Sequence, residues 1–394
     1  MISWKSMFLV LIVLGWVIFE EIISIPSCKI VVRDTKIEDV KVDSEEEEIR
    51  VMLVANLLLM GSEASYMNMY FRDSYMTKFF KKSFDKLQPD MLIVLGDVSA
   101  RGSVLPKSTL LSVLQQFQSI VGPFLSLPLH VVLGDRDIGE CSKLDVESVR
   151  WISSNLPGLD SSGSAAFEAS NITFVSLNTV AMLCGNNDLR FSIESVIERE
   201  SLDMQSESVA ERTIEQNESF DQFRWRETDM PSGSGPVLLL HFPLYRTTSS
   251  SCGVHHCLGS TLSSGSNENI NLLHSRGIAE RGPYELLHTL PPNASEYIFQ
   301  ALKPRIIFSA QSEGFCDHTH KDGTREVSVP AMAWNARDDP GFVVATFGKN
   351  KSVSVSQCSL ARETHVIIAY VCVTLLLIST AFVATKSQSI ELQR

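Results

Sequence analysis

Short apolar runs in this sequence end in side chains that can do chemistry. Val51-Met52-Leu53-Val54 leads to Asn56, and Met91 to Leu95 leads to Gly96-Asp97. Leu129 to Leu133 leads to Gly134-Asp135, Val237 to Leu240 leads to His241, and Arg305 to Phe308 leads to Ser309–Glu313. Amide, carboxylate and imidazole groups gathered at one place suit a divalent cation with a preference for hard oxygen ligands. A carboxylate shared by two cations about 3.5–4 Å apart would clamp the attacking and leaving oxygens of a phosphate ester. Each residue alone has a plainer reading. Gly-Asp after a strand is commonly a turn. Asp135 and Asp137 could pair locally with Arg136, and His241 before Phe242-Pro243 could be a packing histidine.

The elements that must position these residues follow from the apolar pattern. Continuous apolar runs of four to six residues suit strands buried on both faces. Helical patterns at Tyr70 to Leu87 and Ser108 to Ile120 separate the first runs, which predicts an α/β fold. In open α/β sheets the C-terminal strand ends are where ligands bind. Short strands at Val327 to Val329, Phe342 to Phe347 and Val353 to Ser356 predict antiparallel pairs after the parallel part. Residues 198–235, polar and acidic, and 247–269, dense in Ser and Gly, are expected to be loops.

The two ends carry apolar segments. Met7 to Phe19 has the length of a signal-peptide core and no clear cleavage site after it, so residues 1–26 are expected to form a signal anchor or signal peptide. Val366 to Thr385 is uncharged and long enough, at about 20 residues, to cross a bilayer. Between them, 27–49 reads as an acidic stem, 50–360 as a lumenal domain and 386–394 as a cytosolic tail. Sequons at Asn171, Asn217, Asn293 and Asn350 agree with a lumenal placement. A net charge of −12 and the lack of any dense basic run exclude nucleic acid as a partner. The eight cysteines contain no CxxC pair and suggest no zinc knuckle; Cys252 and Cys257 could form a local disulfide or remain free thiols.

With these motifs in order, the chain resembles the calcineurin-like metallophosphoesterases, whose blocks are D-x-H, G-D with a later Gly, G-N-H-D, a lone His, and G-H-x-H. It is most similar to the membrane-anchored branch that remodels GPI anchors and supports export from the endoplasmic reticulum. Val54-Ala55, Val94 to Asp97 with Gly102, Leu240 to Arg246, and Glu326 to Pro330 followed by Trp334-Asn335 carry the likeness. Five strand-end motifs in the family's order and spacing make a site the better reading of the set. The resemblance implies a sandwich of two mixed β-sheets flanked by helices. It also implies a membrane location in the endoplasmic reticulum or Golgi, and a phosphate-bearing glycolipid or GPI-anchored cargo as partner.

The departures from the family shape the expected chemistry. Its first Asp and His fall on Asn56 and Leu58, its Asn on Asp135, and its catalytic His on Arg136. Its last imidazoles fall on the Gln311–Glu313 segment. By resemblance, Asp97 keeps the bridging position, and Asp97, Asp135 and His241 form the expected metal set. Asn56, Gln311 and Glu313 stand at degenerate ligand positions. One divalent cation (Mn, Mg or Ca) is expected, or none if the chain is a pseudoenzyme. Arg136 is left as a phosphate contact. Asp317-His318-Thr319-His320 imitates the last family block, but its flanks place His318 and His320 in a loop beyond the site. A divergent phosphoesterase and an inactive phosphate-, glycolipid- or cargo-binding module both remain open, the second favoured by the lost ligands.

Overall fold

In the computed structural model, residues 4–31, 48–139, 141, 143–184, 187–215, 233–246, 289–310, 314–348 and 352–391 are described. In chain order the elements begin α1 (Trp4–Ile23), β1 (Ser27–Ile30), β2 (Ile49–Val54), α2 (Asp73–Leu87), β3 (Met91–Leu95), α3 (Lys107–Val121) and β4 (Leu129–Val132). There follow α4 (Asp135–Ile138), α5 (Val146–Asn155), β5 (Ala165–Ala169), β6 (Ile172–Leu177), α6 (Thr179–Cys184), α7 (Asn187–Glu215) and β7 (Val237–Leu240). The chain ends with α8 (Pro292–Leu302), β8 (Ile306–Ser309), β9 (Cys316–Thr319), β10 (Arg325–Ser328), β11 (Gly341–Phe347), β12 (Val353–Ser359) and α9 (Glu363–Glu391).

Two mixed sheets face each other. One runs β1-β12-β11-β2-β3-β4 and the other β5-β6-β7-β8-β10-β9. The central pairs β2–β3, β3–β4, β6–β7 and β7–β8 are parallel, so their C-terminal ends lie along one edge of each sheet. Strand alternation explains the unbroken apolar runs. Val51, Leu53, Met91, Ile93 and Leu95 pack between the sheets with Phe174, Leu239 and Phe308. Met52, Val54, Leu92 and Val94 point the other way, into the core shared with Phe79 and Phe80 of α2 and Phe117 of α3. A strand with no polar face has no exposed side to alternate toward.

Several expectations change. Residues 27–49 do not begin as a stem: Ser27–Ile30 is a strand paired antiparallel to β12, and the Cys28–Cys358 disulfide ties the two. Its four residues are too few to show a period, and the pairing is non-local. Part of 198–235 is helix, because α7 runs to Glu215. Leu189, Ile193, Val196 and Ile197 bury one face of its first turns, and helix-forming Glu, Gln, Met and Arg carry it onward. Residues 216–232 and 247–288, including the whole of the second expected loop and the Cys252 and Cys257 pair, lie outside the described residues. β10 pairs parallel with β8 and antiparallel with β9, so the late strands are not all antiparallel. His318 lies on β9 and not in a loop, and His320, directly after it, is buried.

The terminal helices meet the domain at α2. Glu20 of α1 accepts hydrogen bonds from Tyr75 of α2 and Tyr370 of α9, both at 2.6 Å, and pairs with Lys78 at 2.6 Å. Arg72 pairs with Glu363, the first residue of α9, at 2.6 Å and also bonds Asn335. Val366 is fully buried in the domain core, and Glu363–Val383 is long and apolar enough to cross a membrane.

Candidate metal centre

The site is assembled by backbone turns at the strand ends. Asn56, Leu58 and Asp97 all adopt positive φ, at 52°, 51° and 53°. For residues other than Gly this is a strained region, held here by tertiary contacts. The two turns brace each other: Asn56 N donates to Gly96 O at 3.1 Å, and Leu58 N donates to Asp97 O at 3.0 Å. Gly96 and Gly134 leave room for the close approach. A Cβ on Gly96 would lie 2.3 Å from His241 Nδ1, and one on Gly134 would lie 2.2 Å from Asp97 Oδ1.

Asp97, Asp135 and His241 come together from the ends of β3, β4 and β7, with one potential ligand atom from each within 4.8 Å of the others. His241 Nδ1 lies 2.9 Å from the Leu95 carbonyl and donates to it, because a carbonyl only accepts. When a cation displaces the proton on Nε2, the ring presents that lone pair to it, the arrangement usual in metal-ligating histidines. Nε2 lies 2.9 Å from Asp135 Oδ1 and 3.6 Å from Asp97 Oδ1. Burial pushes the Asp97 carboxyl up to about 8, and the neighbouring Asp135 charge pushes it the same way. Burial alone would lower His241, but the Asp97 and Asp135 charges outweigh it and raise the ring to about 9. Buried Asp97 and part-buried Asp135, facing one imidazole, hold a proton where a cation would otherwise neutralise them.

Arg136 follows Asp135 on α4. Its backbone N donates to Asp97 Oδ1 at 3.1 Å, and its guanidinium Nε lies 3.4 Å from Asp97 Oδ2. The side chain remains 34% exposed, so one end of the guanidinium grips Asp97 while solvent reaches the rest. Leu58 packs against the apolar core. Asn56 Oδ1 is buried and has no hydrogen-bond partner among the described residues. Gln311 and Glu313 lie outside the described residues; Ala310, just before them, donates its N–H to the His241 carbonyl at 3.1 Å.

The donor set fits one divalent cation. Two carboxylates and an oriented imidazole supply hard oxygen and borderline nitrogen ligands, and the unpartnered Asn56 amide oxygen adds a neutral donor nearby. A second cation beside Asp97 Oδ2 would meet the Arg136 guanidinium.

Asp137 is a residue the motif reading undervalued. It is 3% exposed and accepts from Ser99 N at 2.8 Å and Gly134 N at 3.0 Å, tying the β3 turn to the β4 turn. The Gly-Asp-x-Asp spacing carries that signal. His318 and His320 are absent from the cation cluster among the described residues. His320 Nε2 pairs with Glu326 at 2.6 Å, and the His318 ring stands edge-on to it at 4.7 Å. Arg246 at 3.0 Å and Ser309 at 2.7 Å complete this second buried cluster around Glu326. Burial alone would raise Glu326, but the His320 hydrogen bond and the Arg246 charge hold it below the ordinary range.

No family model matches the chain. It is 26% identical over 332 residues to Metallophosphoesterase 1 of Cricetulus griseus, covering 83% of this chain and 76% of that protein. Metallophosphoesterase 1 of Xenopus laevis is 25% identical over 333 residues, covering 84% of this chain and 76% of that protein. A dimetal phosphatase from Danio rerio superposes with a TM-score of 0.40 at 10% identity, covering 76% of this chain and 93% of that one. Over more than four fifths of its length the chain is thus similar to curated metallophosphoesterases.

Proposed function

We propose that this chain is a membrane-anchored, secretory-pathway member of the calcineurin-like metallophosphoesterase superfamily that binds a phosphate ester through one divalent cation and Arg136, and that the two-cation hydrolytic machinery is lost. The observation that carries this reading is the 3.4 Å approach of Arg136 Nε to Asp97 Oδ2, which places a fixed positive charge on the carboxylate that family members share between two metals. Asp97, Asp135 and His241 would hold the cation, which supplies Lewis-acid neutralisation of a phosphate oxygen. The solvent-facing part of Arg136 offers parallel N–H donors to a second phosphate oxygen. Leu58, an apolar side chain packed against the core, contributes no ligand.

Support for the location comes from the termini. α9 has the length and composition of a spanning helix. The Cys28–Cys358 and Cys141–Cys184 disulfides belong to an oxidising compartment, and Asn171 and Asn293 are exposed sequon asparagines. The ligand class, a phosphate-bearing glycolipid in GPI-anchor remodelling or endoplasmic-reticulum-to-Golgi transport, rests on the family resemblance. A surviving hydrolase is the second reading, favoured by the orphaned Asn56 Oδ1, which could complete another oxygen-rich position.

Elemental analysis of the full chain purified in detergent tests the site. One equivalent of metal without turnover of a chromogenic phosphodiester supports the proposal. Two equivalents with turnover overturn it in favour of the hydrolase. Removal of N-glycans should increase gel mobility; an unchanged band would count against the lumenal placement.

A further inference from the structure

The short π-helical turn Asn68–Arg72 that leads into α2 has two unlike faces. One face grips the base of α9. Asn68 is buried and accepts from Arg72 at 3.0 Å, while Arg72 holds Glu363. The Phe71 ring stands edge-on to Tyr370 at 5.8 Å and packs at 5.4 Å against Trp334, whose Nε1–H donates to the Ala361 carbonyl. The opposite face presents Tyr66, Met67, Met69 and Tyr70, which are 83%, 45%, 44% and 70% exposed. The Tyr66 and Tyr70 rings stack at 6.1 Å, a small aromatic platform that no described element covers.

Tyr66, Met67, Met69 and Tyr70 form, we infer, a membrane-docking rim that rests in the headgroup layer of the bilayer crossed by α9. This inference rests on the reading of α9 as a spanning helix. The contacts just described set the depth. Glu363 and Tyr370 bracket the start of α9, and exposed apolar residues continue from Val371 through Leu375 and Leu376. A segment that pairs with Glu363 and packs a ring on Tyr370 therefore sits where the apolar surface of the span begins. Tyrosine is suited to that layer because its ring is apolar and its hydroxyl can remain hydrated. Met side chains are flexible and polarisable enough to fill irregular apolar surroundings. The rim directly precedes Phe71 and Arg72, which contact the start of α9, and Trp16 of α1, 4.3 Å from Tyr370, adds an aromatic beside that start. The occupant is a lipid surface, and the function is to hold the domain against its own membrane.

The test uses the full chain reconstituted in phosphatidylcholine vesicles, with a photoreactive benzoylphenylalanine placed in turn at Tyr66, Tyr70, Leu111 and Leu376. Leu111 is an exposed apolar residue of α3, and Leu376 is an exposed residue of α9. After illumination, lipid-mass adducts are expected at 66, 70 and 376 and none at 111. Adducts at 376 without any at 66 or 70 would overturn the rim while leaving the span intact. Lack of adducts at 376 would overturn both. Cross-links from 66 or 70 to a second copy of the chain would replace the lipid surface by a protein interface and overturn the inference.

Discussion

Arg136 Nε lies 3.4 Å from Asp97 Oδ2, while His241 Nε2 lies 3.6 Å from Oδ1 of the same carboxylate. The buried Asp97 thus has a titratable imidazole on one oxygen and a permanent cation on the other. Arginine cannot give up its charge at any biological pH, so the second side is settled electrostatically without a metal.

That relationship predicts the effect of Arg136→Ala. Inorganic phosphate binding to the metal-loaded full chain should weaken by about ten- to a hundredfold, the loss of one charge-assisted pair at roughly 1.5–3 kcal/mol. Metal content should be retained, because Arg136 is not a ligand. Calorimetric titration of phosphate, alongside elemental analysis, checks both parts. An unchanged phosphate affinity would remove Arg136 from the ligand site.

Glu20 receives Tyr75 and Tyr370 hydroxyls and the Lys78 ammonium, all at 2.6 Å, contacts that predict retention of α1 in the mature protein. Peptides containing Trp16 and Glu20 should therefore be present in the mature protein, as mass spectrometry of the purified chain would show. Glu20→Leu should lower stability by about 1–3 kcal/mol, since it strands the hydroxyl and ammonium partners. A mature chain that begins after Ile23 would refute the retained helix.

His130 supplies a pH dependence. It is 4% exposed, its Nε2 is 2.8 Å from Ser176 Oγ, and the Phe167 ring packs against it at 4.7 Å. Burial lowers the imidazole from 6.5 to about 4. The fold therefore favours the neutral ring. Its stability is complete above pH 6.5 and falls as pH drops from about 6.5 toward 4, where the unfolded chain takes up a proton that the fold refuses. The shift corresponds to roughly 3 kcal/mol at most, by the usual conversion of pKa difference to free energy. His130→Gln should flatten the denaturation midpoint against pH between 6.5 and 4.5 relative to the parent chain. Parallel profiles for the two proteins would mean that His130 does not titrate on unfolding.

Local chemistry made much of this protein legible from sequence. Unbroken apolar runs have no polar face to show, so β2, β3, β7 and β8 could be recognised as doubly buried strands, and β4 nearly so, with His130 as its one polar residue. A Gly-Asp pair or a histidine just past each run marked Asp97, Asp135 and His241 as strand-end residues. The uncharged stretch that became α9 declared itself by length alone. Tertiary structure decided the features that depend on partners distant in the chain. β1 is four residues long and exists because β12, some 330 residues away, pairs with it and shares a disulfide. His318 and His320 imitate a metal motif, but the register of β9 against β10 sets His318 opposite Glu326, and His320, just past the strand, pairs with the same carboxylate. The identity of Arg136 could be read at once, but its hold on Asp97 depends on the turn after β4 folding against the turn after β3, with Gly134 permitting the contact. Residue type and period act over a few neighbours, whereas the charge that faces a buried carboxylate is set by which strand ends the sheets bring together.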